Sequence, residues 1–146
     1  MADDLTRLHQ WADGLLQQLS PAARRQLARD VAKQLRASQQ KRIAAQTNPD
    51  GTAYAPRLRQ KSGHIRRQMF AKMRTTRYLK MQASSDTAVV GFVGQVQRIA
   101  SVHQLGLRDR VRQGGPEVQY TRRELLGYTD QDEDQITELV LAHLAR

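Results

Sequence analysis

The stretch Arg98–Val111, RIASVHQLGLRDRV, joins a helical pattern to a glycine stop and then to a basic loop. Ile99, Val102 and Leu105 recur every three residues with Ala100 beside them, the apolar face of a short helix. Gly106 supplies the left-handed residue at which such a helix ends at the lowest steric cost. The stretch therefore predicts a short central helix followed by a sharp change of direction.

On its N-terminal side, Tyr78 to Ala83 alternates, with Leu79, Met81 and Ala83 on one face. Ser84, Ser85 and Asp86 form a turn, and Ala88 to Val93 returns as a second strand. On its C-terminal side, a basic loop containing Arg108, Arg110 and Arg112 leads to a third strand from Glu117 to Thr121. Thr129 and Asp130 then cap a last helix whose Ile136, Leu139, Val140 and Leu144 share one face. Its acids Asp132, Glu133 and Asp134 sit in the first turn, as the helix dipole prefers.

The N-terminal third is helical. A first helix starts near Asp3 or Asp4 and carries Leu5, Leu8, Leu15, Leu16 and Leu19, with Trp11 at the edge of the stripe. Ser20 followed by Pro21 restarts the chain as a second helix reaching about Ala45, with Leu27, Val31, Leu35 and Ile43 on one side. The cluster Asn48–Gly51 stops it. Residues 47–63 read as a mobile loop, and a short helix is expected over His64 to Thr75, where Ile65, Met69 and Met73 recur.

The fold class expected is α+β: N-terminal helices, a small antiparallel sheet made of the hairpin plus the third strand, a central short helix and a C-terminal helix. A chain of 146 residues is expected to be a single domain, with a helical part at 1–46, the loop at 47–63 and an α+β core at 64–146. Only 5% of residues are aromatic, so the core must be built from aliphatic side chains, and a core this lean is readily completed by a second subunit.

Several function classes are disfavoured. There is no cysteine, which removes disulfides, thiolate metal sites and cysteine nucleophiles. His9, His64, His103 and His143 are too scattered for helical metal spacing, and no nucleotide, zinc-hydrolase or serine-hydrolase motif is present. No cofactor, no metal and no enzymatic activity are expected. MADDLTRLHQ lacks a secretory pattern and no run is apolar enough for a membrane span, so a soluble protein made inside the cell is expected.

The net charge of +10 is unevenly spread: residues 21–80 hold sixteen basic and two acidic residues, whereas residues 129–146 hold one basic and five acidic. Nine of the basic residues lie between Arg57 and Lys80 with no acid among them, which reads either as a solvated face or as a contact with DNA phosphate or an acidic protein surface. Arg57, Arg59, Lys61, Arg66 and Arg67 are the candidate contacts with DNA or a partner. Tyr54 and Tyr78 are too few to argue for base stacking.

Four segments in order, TNPDGTAYAPR at 47–57, MF at 69–70, RIASVHQLGLRDRV at 98–111 and YTRRELLGYT at 120–129, resemble the virion morphogenesis family, the tail completion proteins of contractile-tailed temperate phages. The chain departs from that pattern at Thr121 and Glu124, where prolines are common, and at Tyr54, where tryptophan is frequent. The resemblance implies a virion subunit, assembled in the host cytoplasm, that caps the head-proximal end of the tail, ends tube and sheath growth and prepares the tail for head joining. It implies a ring homo-oligomer, commonly a hexamer, in contact with the terminal tube or sheath ring and the head–tail connector, through which genomic DNA passes without sequence-specific reading. His103 and Gly106 are then a structural turn, and Arg108, Asp109 and Arg110 candidates for a subunit interface with the acidic last helix. A small basic DNA-binding regulator is the alternative.

Overall fold

The computed structural model describes residues 2–57 and 67–145. In order it has α1 (Ala2–Leu16), α2 (Pro21–Ala44), β1 (Leu79–Ala83), β2 (Ala88–Phe92), α3 (Val96–Leu105), β3 (Arg108–Arg110), β4 (Glu117–Gln119) and α4 (Asp130–Leu144). The architecture is α+β, with two two-stranded antiparallel sheets, β1–β2 and β3–β4. Two expectations are corrected. The third strand does not join the hairpin; it pairs with β3, a strand within the expected basic loop, in the register Arg108↔Gln119, Asp109↔Val118 and Arg110↔Glu117. Alternation in RDR is too short and too polar to register as a strand, and only its partner reveals it. Nor is there a helix over 67–75, where the chain makes successive turns, with Phe70 at φ 65°; residues 64–66 of that expected helix lie outside the described residues.

The chain packs as two compact units. The first comprises residues 1–38, 81–90 and 128–146. Here α1 packs on α4, and Leu27, Ala32, Leu35 and Val140 are buried. Ser20 caps α2 by accepting from the Ala23 amide at 3.1 Å. Thr129 and Asp132 form a capping box at the start of α4, and Asp132 also accepts from the Ser38 hydroxyl of α2. A second tie between these helices is His143 Nε2 to Asp30 Oδ2, 2.8 Å, with His143 buried.

The second unit comprises residues 39–80 and 91–127, and its core is Ile43, Tyr54, Met73, Leu79, Phe92, Val96, Ala100, Val102 and Leu125. Two side-chain amides organise it. Gln104 Oε1 accepts from the Leu125 and Leu126 amides at 2.9 Å each, while its Nε2 donates to the Leu126 carbonyl. Gln39 Oε1 accepts from the Gly127 amide at 3.1 Å. Residues 125–127 make no regular element, so these bonds satisfy buried backbone that would otherwise be orphaned. Residues 47–57 of the stretch read as loop carry an isolated bridge, Thr47↔Ala53, and the turn bond from the Gly51 amide to the Asn48 carbonyl. Tyr54 donates from its hydroxyl to the Glu124 carbonyl at 2.9 Å.

A candidate assembly interface around the Gly106 turn

The helix α3 ends at Gly106, φ 64° and ψ 55°. The Leu107 amide donates back to the Val102 carbonyl at 2.9 Å and the Gly106 amide to the His103 carbonyl at 3.4 Å, the paired bonds of a Schellman stop. A Cβ at Gly106 would lie 3.2 Å from the Arg122 amide nitrogen, so both the positive φ and the close approach of another strand of chain demand glycine.

One turn earlier His103 stands in a ring cluster, its centroid 4.8 Å from Phe70 and 5.0 Å from Tyr120, with Phe70 in turn 5.8 Å from Tyr54. Arg123 Nη1 lies 3.2 Å from His103 Nδ1, so Nδ1 is the acceptor and the ring proton sits on Nε2. Burial, reinforced by the Arg123 charge, pushes the His103 pKa down to about 4. His103 is thus neutral at pH 7 and packs against Phe70 and Tyr120.

Arg123, 3% exposed, donates from Nε to the Ala55 carbonyl at 2.8 Å and from Nη2 to the Pro56 carbonyl at 2.9 Å. It therefore pins the chain immediately before Arg57, the root of the basic segment. Its own pKa is lowered by burial and then by the neighbouring Arg57 charge. Arg42, 8% exposed, is held by oxygens alone: the carbonyls of Thr47, Glu124 and Leu125, the Gln39 side chain and the Tyr54 hydroxyl. Sequence reading missed both anchors, because an arginine within a basic run gives no sign that it is buried.

Of the candidate contacts, Arg57 is half-buried and Arg67 exposed; Arg59, Lys61 and Arg66 lie outside the described residues. Lys72, Arg77 and Lys80 are exposed, and the Arg77 guanidinium stands 5.3 Å above the Tyr78 ring. Arg108 and Arg110 are exposed on β3, but Asp109 is occupied within the chain: Arg98 reaches it from α3 with Nη2 at 2.5 Å and Nε at 3.1 Å. That hydrogen bond holds the Asp109 carboxyl below its usual range.

Charge divides with the units. The second holds 17 basic and 4 acidic residues, the first 7 basic and 10 acidic. Among the described residues no cluster of three or more His, Asp or Glu could hold a metal ion, and no helix is long and apolar enough to cross a membrane. What the described surface offers is an uneven charge, with basic residues in excess in the second unit and acidic residues in excess in the first.

Residues 3–145 match the model of a family described as phage virion morphogenesis. The chain belongs to that family. Among curated relatives, the tail completion protein S of Escherichia phage P2 is 45% identical over 149 aligned positions, which cover 99% of each chain. No solved structure matches. The virion morphogenesis match runs through both units, so the buried arginines and the Gly106 turn all fall within it.

Proposed function

We propose that this chain is a non-enzymatic virion subunit that caps the head-proximal end of a phage tail, ends the growth of tube and sheath, and readies the tail for joining to the head. The observation that carries this reading is similarity along the whole chain to a protein named for tail completion. The division of charge supports it. An assembly subunit must meet neighbours of its own kind and of other kinds, and a chain with one basic and one acidic unit has complementary charge to offer a ring of copies. In this reading the segment 57–80 faces the ring channel, with its passing DNA, or the adjoining connector protein. Arg57, Arg59, Lys61, Arg66 and Arg67 make that contact, and Arg108 and Arg110 face the exposed acids Asp130, Asp134 and Glu138 of a neighbour's α4.

Deletion of the gene, with micrographs scored for tail length and attachment, tests the role: overlong or unattached tails support it, and normal tails on full heads refute it. Replacing the five basic residues with Ser tests the contact and is expected to leave the fold intact while preventing head joining. Full infectious yield from that variant would remove the contact. The net charge of +10 alone would also suit a DNA-binding regulator; such a protein would shift short duplexes with steep salt dependence and would leave tail length unaffected by its loss.

A further inference from the structure

The β3–β4 ribbon has one protected edge and one open edge. In the antiparallel ladder the Tyr120 amide donates to the Leu107 carbonyl and the Val111 amide to the Pro116 carbonyl. Leu107, Asp109 and Val111 therefore turn their backbone groups inward to β4, and Arg108 and Arg110 turn theirs outward. By the same alternation Glu117 and Gln119 point their N–H and C=O groups away from β3.

The outer edge of β3 is blocked. Its Arg110 amide already donates to Asp109 Oδ1 at 2.9 Å. An antiparallel copy of β3 would also set Asp109 against Asp109 and Arg108 against Arg110, like charges in every pair. The outer edge of β4 has neither defence. Among the described residues no other strand pairs with it, and Glu117 and Gln119 are exposed. A ribbon of two three-residue strands is marginal by itself, yet Leu107 and Val111 beside it remain 43% and 47% exposed.

We infer that the free protein forms a two-fold pair through β4, giving a four-stranded sheet in the order β3–β4–β4–β3. Centred on Val118, the pairing is self-complementary. Glu117 of each copy meets Gln119 of the other in hydrogen-bonded pairs, and Val118 meets Val118 in the close non-hydrogen-bonded pair, so no like charges oppose. The occupant is a second copy because this strand answers its own charge pattern, whereas β3 repels its own. Being isologous, the contact closes on two chains and is distinct from the head-to-tail contact that a ring needs. It also leaves the polar face carrying Arg108 and Arg110 open.

The chain has no cysteine, so Val118→Cys gives a single reporter. The two Cα atoms would stand about 4.5 Å apart, within disulfide reach. Mild oxidation is expected to convert this variant to a covalent dimer, while Arg108→Cys, on the blocked strand, stays single. Glu117→Pro removes an outward amide from each copy without touching the β3–β4 bonds and is expected to weaken the dimer about tenfold or more in sedimentation velocity, with an unchanged circular dichroism spectrum. A wild-type chain that stays monomeric up to its solubility limit would overturn the inference and leave the edge to a strand of a different protein. Cross-linking of Arg108→Cys as fast as Val118→Cys, or a Glu117→Pro dimer as tight as wild type, would overturn it equally.

Discussion

Arg42 Nη2 donates to the Leu125 carbonyl at 2.7 Å across 83 residues of sequence. The same fork reaches the Thr47 and Glu124 carbonyls at 2.9 Å and Gln39 Oε1 at 2.6 Å, so one side chain gathers three separate pieces of chain. Its Nε has no partner among the described residues, which leaves the fork to offset the cost of burying a guanidinium. Arg42→Met keeps much of the apolar stem and strands several buried acceptors. The expected loss is about 3 kcal/mol or more of unfolding free energy, read from the urea midpoint. A change within the ordinary surface range would mean that water replaces the guanidinium without penalty.

His103 gives the fold a pH dependence of known sign. Its folded pKa of about 4 lies below the ordinary 6.5, so between those values the unfolded chain binds a proton that the folded chain does not. The contribution of His103 is full above about pH 6.5 and is lost as the pH falls towards 4. His103→Phe retains a ring against Phe70 and Tyr120 but cannot titrate. Unfolding free energies measured at steps through this window should fall more steeply for the wild type than for the variant, and parallel curves would assign the titration elsewhere.

Much of this scaffold is legible in the sequence because it rests on local chemistry. The Ser20–Pro21 restart, the Thr129 cap and the Gly106 stop each depend on residues a few positions apart, and α2 and α4 follow the apolar period; α3 instead buries Val96, Ala100 and Val102 and leaves Ile99 and Leu105 of the expected face exposed. What is not legible is non-local. Nothing near Arg108–Arg110 announces a strand whose partner lies nine residues on, and nothing near Arg42 or Arg123 separates a buried carbonyl-binding arginine from its solvated neighbours. The Met69–Met73 spacing suggests a helix, but the chain there makes turns instead, and the Gln46 side-chain amide, from just beyond α2, donates to the Met69 carbonyl at 2.9 Å. Within the candidate interface the sequence locates the basic run, and the fold alone identifies what pins its root.

Asp132 combines a cap with a tertiary tie, and two substitutions separate the roles. Oδ2 accepts from the Thr129 amide at 2.9 Å, and Oδ1 accepts from the Ser38 hydroxyl, at a site only 3% exposed. Asp132→Asn can keep an oxygen towards the amide and turn its NH2 towards the hydroxyl, which can also accept, so a loss of under about 1 kcal/mol is expected. Asp132→Ala removes both bonds and leaves the Thr129 amide unsatisfied, for about 2 kcal/mol or more. Equal losses from the two would show that the negative charge at the helix start, rather than the hydrogen bonds, is what matters.

Two glycines to alanine should move stability in opposite directions. At Gly127 an added Cβ would lie 2.3 Å from Cγ and 3.0 Å from Cβ of the buried Pro49, a ring that cannot swing aside as a long side chain would. The segment would have to shift, straining the Gly127 amide bond to Gln39, and a loss of about 1–3 kcal/mol is expected. At Gly14, exposed within α1, an added Cβ meets nothing within 4 Å, and alanine there restricts only the unfolded chain. A gain of about 0.5–1 kcal/mol should follow. Thermal melts of both variants beside the wild type decide the matter. A Gly127→Ala protein as stable as wild type would mean that Pro49 and the 125–127 segment part freely, which their hydrogen-bonded neighbours make difficult.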